Sequence, residues 1–317
     1  MTDNNNSIKA VKEIIDEIKK AVIGKDKVII KILLAILAKG HVLIEDIPGV
    51  GKTTMALSFS KCLSLEHNRI QFTPDVLPTD VTGFTVYNKH TGSFDFKPGA
   101  SMCNLLLADE INRTSSKTQS ALLEIMEEGK VTVDGITHEL PKPFIVIATQ
   151  NPIGSVGTQA LPESQLDRFM IKLSMGYPDI NSEVEILKAK SNYNPLDYVN
   201  AIADAEDLIV LQKVVENVHV DDKIYLYIAR LAEATRNNPM IKLGISPRGA
   251  LALMSISKAT ALLKGRNYII PDDISYMYKD AFAHRIILSS SAKINNLTPE
   301  IILDDILKSV KQPELTV

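Results

Sequence analysis

The chain of 317 residues has no tryptophan, 5% aromatic residues and only two cysteines, Cys62 and Cys103. Two cysteines that lack the spacing of zinc ligands exclude a disulfide framework and a cysteine-based zinc site. We therefore expect the protein in a reducing cytoplasm. The net charge is also small, −3 from 35 Lys and Arg against 38 Asp and Glu, which argues against a protein that binds DNA mainly by electrostatic attraction.

Long apolar runs are absent as well. The apolar stretches are short, such as residues 144–148, whereas a membrane helix needs about 20 apolar residues. The start, MTDNNNSIKA, has no basic segment followed by an apolar one, so we expect neither a signal peptide nor a membrane span. The 45% hydrophobic and 23% charged residues indicate a soluble globular protein with a real core, and the length suggests about two domains.

Short apolar runs in the first two thirds of the chain predict buried strands at 41–45, 69–72, 104–108, 144–149 and 169–174. Because these runs are apolar on both faces, they favour a parallel sheet that is covered by helices. Helical spacing of apolar residues predicts two of these helices, over 52–63 and 116–128. Residues 1–178 are thus predicted to form an α/β domain.

Only helical patterns follow Tyr177-Pro178-Asp179, at about 181–192, 207–217, 221–238, 246–264, 271–284 and 298–311. Two of them begin with a capping hydroxyl before a proline, Ser246-Pro247 and Thr298-Pro299. The sequence therefore predicts a second, all-helical domain over residues 179–317.

Two hairpins are predicted inside the α/β part. Asp134-Gly135 between alternating strands in 130–139 is a strong two-residue turn signal, and a weaker hairpin pattern covers 83–98. A parallel sheet does not need either hairpin, so we expect both to project from it. They are either surface decoration or, beside a nucleotide site, elements that contact a substrate.

A glycine-rich loop, Asp46 to Thr54, joins the strand 41–45 to the helix that starts near Lys52. A strand, such a loop and a helix N-terminus together form a cradle of backbone N–H groups for phosphates. Lys52 can reach the β- and γ-phosphates and the Thr53 hydroxyl can bind Mg²⁺. Asp46 stands where the usual pattern has its first glycine, and we expect it to keep the turn because Asp tolerates positive φ. The residues predicted to bind the nucleotide here are Pro48, Gly49, Val50, Gly51, Lys52, Thr53 and Thr54.

Two adjacent acids, Asp109 and Glu110, end the buried strand 104–108. The carboxyl ends of parallel strands are where ligands bind in open α/β sheets, so these acids are expected beside the phosphates. We predict that Asp109 holds the Mg²⁺ shell and that Glu110 polarises the attacking water.

Three further polar residues are candidates for the same chemistry. Asn151 follows the strand 144–149 and could orient the attacking water, although an Asn before Pro152 is also common in turns. Arg168 is either an ion-pair partner of a neighbouring acid or an arginine finger that reaches the γ-phosphate of a neighbouring subunit. Arg248 lies in the first turn of a helix, where a cation opposes the helix dipole, so it is either solvated or near a bound phosphate.

Four segments of the chain resemble the MoxR family of AAA+ ATPases: DVLPTDVTG, LLLADEINRTSSKTQSALLEIMEEG, IATQNPIGSVGTQALPESQLDRF and GISPRGALAL. The resemblance runs from Ile23-Gly24 to about His284-Arg285. It implies a P-loop NTPase core with a five-stranded parallel sheet and helices on both faces, an all-helical lid, and assembly into a ring that is usually hexameric. It also implies ATP hydrolysis with Mg²⁺ and a chaperone-like action on protein complexes, often with a partner that carries a von Willebrand factor A domain.

Position by position, the resemblance assigns Lys52 and Thr53 to Walker A and Asp109 and Glu110 to Walker B. Asn151 resembles sensor 1, Arg168 the arginine finger and Arg248 sensor 2. Ile23 and Gly24 resemble the segment that lies against adenine. The hairpin over 83–98 corresponds to the helix-2 insert and that over 130–139 to the pre-sensor-1 hairpin.

Two other functions stay open at this point. A DNA-directed AAA+ motor would favour a basic pore hairpin, yet 130–139 carries Lys130 against Asp134 and Glu139, so nucleic acid is not the expected partner. An ATP-dependent regulatory switch with little turnover would not need Glu110, Asn151 and Arg168, all of which are present.

Overall fold

The computed structural model describes residues 2–47, 49–152, 158–192 and 194–314. Its strands are β1 (Val42–Glu45), β2 (His67–Gln71), β3 (Gly83–Asn88), β4 (Ser93–Pro98), β5 (Leu105–Asp109), β6 (Lys130–Val133), β7 (Ile136–Glu139), β8 (Ile145–Gln150), β9 (Ile171–Leu173), β10 (Ile241–Leu243) and β11 (Ile287–Leu288).

Its α-helices are α1 (Thr2–Lys19), α2 (Asp26–Leu37), α3 (Lys52–Cys62), α4 (Pro78–Thr82), α5 (Ser116–Glu128), α6 (Glu163–Leu166), α7 (Ile180–Asn192), α8 (Ala205–Glu216), α9 (Asp222–Arg236), α10 (Pro247–Leu263), α11 (Pro271–Phe282), α12 (Ser290–Ile294) and α13 (Pro299–Ser309). In the described part of the chain, none of these helices is both long and apolar enough to cross a membrane.

The predicted five-stranded parallel sheet is confirmed, with strand order β2-β5-β8-β1-β9. The central strands β5 and β8 are buried along their whole length, whereas the edge strand β2 is largely exposed. Successive side chains of β5 and β8 enter two different apolar clusters, because they point to opposite faces of the sheet. The sheet is therefore covered by apolar side chains on both faces.

One of the two apolar clusters is continuous from α1 and α2 through one face of the sheet to the C-terminal helices. The sequence reasoning had not predicted α1 and α2, which pack against α10. The chain passes from the sheet to the helical part between β9 and α7. The division at residue 178 stays a prediction, and the two parts share one core.

The C-terminal part is helical, as predicted, with one addition. β10 and β11 form a two-stranded antiparallel sheet that the prediction of an all-helical domain did not contain. Strands of three and two residues are too short for an alternating pattern to be read from sequence. The predicted caps are present: the side chains of Ser246 and Thr298 accept hydrogen bonds from Gly249 N and Ile301 N.

Both predicted hairpins are present as separate antiparallel pairs, β3–β4 and β6–β7. Asp134 and Gly135 both have positive φ, +50° and +79°, as a type I′ turn requires. The hairpins touch each other, because the Phe96 ring stacks on His138 at 3.8 Å and the Thr85 hydroxyl donates to Asp134. Together they form one surface, which we call the hairpin pair.

His41 joins the sheet to α5 from a buried position. The backbone N–H of Val146 donates to its Nδ1 over 3.0 Å, so Nε2 carries the proton and donates to the carbonyl of Met126 over 2.9 Å. Burial lowers the pKa of His41 from its usual 6.5 to about 4. A protonated ring would lose the bond from Val146, since both ring nitrogens would then be donors.

We predict that His41 makes the protein less stable as the pH falls from 6.5 towards 4. The unfolded chain binds a proton in this range and the folded chain does not, so the contribution is complete above pH 6.5 and is lost on acidification. A shift of this size corresponds to about 3 kcal/mol. Urea unfolding between pH 4.5 and 6.5 should show a smaller pH dependence in His41→Gln than in the parent, and equal slopes would contradict the prediction.

Candidate nucleotide site

The loop before α3 has the backbone that a phosphate cradle needs. Gly49 and Gly51 have φ of +88° and +94°, a region that residues with a Cβ rarely adopt. A Cβ built on Gly49 would meet no atom of the described residues within 4 Å, so these residues leave the space beside this glycine open. Within the described ranges, no side chain caps the N-terminus of α3 at Gly51, which leaves its first-turn N–H groups available to an anion. Pro48 lies outside the described residues.

Lys52 is the first residue of α3 and its side chain is buried, 8% exposed. Its ammonium donates to the carbonyl of Asp46 over 2.8 Å. Partial burial lowers the pKa of Lys52, while the negative charges of Asp109, Asp46 and Glu110 act in the opposite direction. The ammonium thus lies within the electrostatic influence of three carboxylates, beside the loop where phosphate oxygens would need a counter-charge. Thr53 and Thr54 follow in the same first turn.

Asp46 does not have the role predicted for it. Asp46 is not one of the described non-glycine residues that have positive φ. The turn therefore does not depend on the tolerance of Asp for positive φ. Its carboxylate instead accepts hydrogen bonds from the backbone N–H groups of Met175 and Gly176, both at 2.6 Å, and from the Ser174 hydroxyl. Burial acts to raise the pKa of Asp46, but these bonds outweigh it and hold the pKa below its usual value.

Lys25 fastens the same segment from the other side. Its buried ammonium donates to the carbonyls of Met175, Gly176 and Tyr177 at 2.7, 2.9 and 2.9 Å. Asp46 therefore holds the connection between the sheet and the helical part against the glycine-rich loop, and Lys25 holds it against the start of α2. Sequence reasoning missed Lys25, although it directly follows Ile23 and Gly24.

A cavity of about 310 Å³ lies beside the glycine-rich loop. Its apolar wall includes Val22, Ile23, Ile186 and Leu187, and its other wall is the loop at 49–51 with Thr54. An apolar slot next to a phosphate cradle offers space for the base of a nucleotide. Ile23 lines this cavity, whereas Gly24 does not, and the contact of both with adenine stays a prediction.

Gly24 serves a close packing contact. It has φ of +72°, and a Cβ there would lie 2.3 Å from the Ser182 hydroxyl at the start of α7. The glycine thus lets the segment before α2 pass directly over α7.

Asp109 and Glu110 lie at the carboxyl end of β5, beside the loop. Asp109 is 8% exposed, accepts from the Thr149 hydroxyl at 2.6 Å and pairs with Arg69 at 2.8 Å. Glu110 has φ of +57°, which turns the chain sharply after the strand. Its carboxylate pairs with Arg113 at 2.8 Å.

Glu110 is ionised at neutral pH. Burial acts to raise its pKa, but hydrogen bonds from Arg113 and Asn151 outweigh that effect, so the pKa lies below the usual value. A carboxylate with a lowered pKa is a weak base, and it can still orient a water molecule by accepting its hydrogen bond.

Asn151 lies next to Glu110 at the end of β8. Asn112 holds its backbone, because the Asn112 side chain donates to the carbonyl of Asn151 and accepts from its N–H, at 3.0 and 3.2 Å. Among the described residues, the buried Oδ1 atom of Asn151 has no hydrogen-bond donor. A buried acceptor without a partner beside a carboxylate suits a water molecule that both groups orient. Asn112 was not predicted, although it lies only two residues after Glu110.

The residues present fit a Mg²⁺ ion that is held together with a nucleotide. Within the described ranges, no group of three or more His, Cys, Asp and Glu side chains could hold a metal ion alone. Thr53 and Asp109 offer a hydroxyl and a carboxylate, and Mg²⁺ commonly combines one or two such ligands with phosphate oxygens and water.

Arg168 and Arg248 are brought together, and both lie apart from the glycine-rich loop. They line a second cavity with Glu127, and that cavity contains none of the residues 49–54. Glu127 pairs with Arg168 at 3.2 Å and with Arg248. The anion near the first turn of α10 is therefore Glu127 in this structure. We call Arg168 and Arg248 the arginine pair.

Comparison with known proteins gives consistent matches. Residues 41–171 match the ATPase family associated with various cellular activities (AAA), and residues 233–306 match the AAA lid domain. The uncharacterized protein YeaC of Bacillus subtilis is 50% identical over 299 residues, which cover 94% of this chain and 93% of YeaC. The chaperone MoxR1 of Mycobacterium tuberculosis is 38% identical over 308 residues, with 94% of this chain and 81% of MoxR1 covered.

A solved structure agrees with these matches. The crystal structure of a candidate ATPase from Cytophaga hutchinsonii superposes with a TM-score of 0.91 at 38% identity. The superposition covers 98% of this chain and 97% of that one, so the likeness includes both the sheet and the helical part.

We predict that Lys52→Ala weakens ATP binding about tenfold to a hundredfold, the value of one to two charge-assisted hydrogen bonds. Fluorescent-nucleotide titration measures the effect. Lys61→Ala is a matched control, because Lys61 is an exposed lysine of the same helix that donates to the carbonyl of Leu196. Equal affinities in Lys52→Ala and the parent would contradict the assignment of the phosphate cradle.

Proposed function

Because this chain belongs to the MoxR family of AAA+ ATPases, we propose that its ATPase activity uses Mg²⁺ in a ring of subunits, of which six is the expected number. In this proposal, ATP hydrolysis drives the remodelling or activation of a protein complex in the cytoplasm. Lys52, Thr53 and the loop hold the phosphates, Asp109 and Thr53 hold Mg²⁺, and Glu110 with Asn151 orients the attacking water.

The separation of the arginine pair from the nucleotide cavity is the observation that supports a ring. Phosphoryl transfer needs cations at the γ-phosphate as charge develops in the transition state. Arg168 and Arg248 line a cavity that the glycine-rich loop does not enter. A site whose cations lie on another face of the subunit is completed when a second copy presents that face.

A protein client is favoured by the hairpin pair. It exposes the large apolar side chains Phe84, Tyr87, Phe94 and Ile136, of which Phe94 is 72% exposed. Exposed apolar side chains on a projecting surface are typical of contacts with protein. The relative MoxR1 is named a chaperone, which agrees with a protein client, and a partner with a von Willebrand factor A domain is part of the proposal.

A DNA-directed motor is less well supported. The charges of β6, β7 and their turn are Lys130 against Asp134 and Glu139, and Lys130 pairs with Glu128. A surface of this kind has no excess positive charge with which to neutralise phosphates. A switch with little turnover is also disfavoured, since Glu110 and Asn151 lie together at the strand ends.

We predict that Glu110→Gln binds ATP with Mg²⁺ as the parent does but hydrolyses it at least a hundredfold more slowly, because only the orientation of the water is lost. Phosphate release and nucleotide titration measure the two quantities. Unchanged turnover would place the base elsewhere. The same variant, held with ATP, should retain a bound client for identification by mass spectrometry, and enrichment of DNA instead would support the motor.

We predict that Arg168→Ala binds ATP nearly as the parent does and hydrolyses it about a thousandfold more slowly, because an arginine finger acts mainly in the transition state. Mixing it with Lys52→Ala subunits, which keep the arginine pair, should restore part of the activity. Sedimentation with ATP should show that both variants assemble. If they assemble together and no activity returns at any ratio, Arg168 acts within its own subunit and the proposed ring site is wrong.

A further inference from the structure

Glu127 is the common partner of the two arginines that the proposed function assigns to a neighbouring site. One carboxylate oxygen of Glu127 forms an ion pair with Nε of Arg168 at 3.2 Å. The other accepts a hydrogen bond from Nη2 of Arg248. In the described part of the chain, neither guanidinium has another ion-pair partner. Glu127 lies in the last turn of α5, so three separate parts of the chain meet at this carboxylate.

The backbone around the arginine pair is fixed independently of Glu127. Asp167, which precedes Arg168, accepts from the hydroxyl of Ser246 at 3.0 Å and from Nε of Arg285 at 2.8 Å. Ser246 is the N-cap of α10, and Arg248 lies in the first turn of that helix. The two backbone segments that carry the arginine side chains are thus joined through Asp167. Among the residues described, Glu127 is the one that joins their ends.

The local charge explains why a carboxylate is needed there. Arg168, Arg248 and Arg285 line one cavity, and the carboxylate of Asp167 is already paired with Arg285. Without another anion, the guanidinium groups of the arginine pair would repel each other and separate. Glu127 holds them side by side, in the arrangement in which they could bind the oxygens of one phosphate.

Because Glu127, Arg168 and Arg248 are partly exposed, another anion can replace the carboxylate in these ion pairs. Glu127 is 40% exposed, and Arg168 and Arg248 are 29% and 43% exposed. Ion pairs of this kind contribute little to stability, because water competes for both charges. A phosphate with a larger charge can therefore displace the carboxylate without unfolding anything.

We propose that Glu127 is a positioning residue that sets the spacing of Arg168 and Arg248 before they reach the terminal phosphate of a nucleotide on a second copy of this chain. The inference depends on the proposed function, in which the arginine pair acts across a subunit interface. Glu127 itself does not touch the nucleotide. The phosphate replaces Glu127 as the ion-pair partner of the two guanidinium groups.

The test uses Glu127→Gln, which removes the charge and keeps the size. We expect kcat to fall about tenfold to a hundredfold, the effect of misplacing a reacting group by about an ångström, with KM for ATP changed less than twofold. Glu128→Gln is the matched control: Glu128 is the next residue and pairs with Lys130 at 3.7 Å instead of the arginine pair. The control should keep the parent kcat, and equal melting temperatures should show that both variants fold.

Mixing separates positioning in trans from a structural role. Lys52→Ala subunits keep Glu127 and the arginine pair, so they should restore activity to the intact nucleotide sites of Glu127→Gln subunits. Glu127→Asp, whose shorter side chain can hold one guanidinium but not both, should give an intermediate kcat.

An unchanged or raised kcat in Glu127→Gln would overturn the inference, and so would an equal loss in Glu128→Gln. If Lys52→Ala rescues Arg168→Ala but not Glu127→Gln, the inference is wrong and the proposed function stands. If it rescues neither variant although all assemble, the arginine pair does not act in trans, and both the proposed function and the inference fail.

Discussion

The parallel pairing of β5, β8 and β1 is the constraint on which the candidate site depends. Parallel strands end at the same edge of a sheet. The loop after β1, the acids at the end of β5 and the side-chain amide of Asn151 after β8 therefore lie close together. Because these strands are buried on both faces, their register is fixed by apolar packing rather than by the polar residues they carry. The polar groups can therefore serve chemistry.

The charges at this edge are already paired before any ligand is considered. Asp109 is paired with Arg69, Glu110 with Arg113, and Lys52 with the carbonyl of Asp46. Buried charges without partners would be costly, and each of these charges has a partner, which the proposed nucleotide or cation would replace. Binding would exchange partners instead of creating new buried charges.

The sequence predicted the parts of the fold that rest on local patterns. Strands such as β5 and β8 are apolar throughout, and the turn at Asp134-Gly135 needs only two residues to be recognised. The candidate site was predicted to the extent that its residues lie in short motifs. Their roles in binding and catalysis stay predictions.

Contacts between distant segments were beyond local patterns. Asp46 was expected to serve its own turn, whereas its carboxylate holds Met175 and Gly176, about 130 residues away. Glu127 meets Arg248 across 121 positions, whereas the next acid of α5, Glu128, pairs with the nearby Lys130. The apolar periodicity of a helix or its cap is encoded within a few residues. A contact between distant residues depends instead on how the completed sheet brings two segments together.

The buried guanidinium of Arg285 determines how the subunit can deform. It donates to the carboxylate of Asp167 and to the carbonyls of Asp167, Phe169, Met170 and Ala281, so it fastens the helical part to the segment that carries Arg168. Asp46 and Lys25 fasten the other end of the connection. With attachments at both ends, the helical part cannot swing freely as a hinged cover over its own nucleotide. In the proposed ring, a displacement caused by nucleotide would therefore be passed to the arginine-bearing face, and the boundary between neighbouring copies would be the compliant joint.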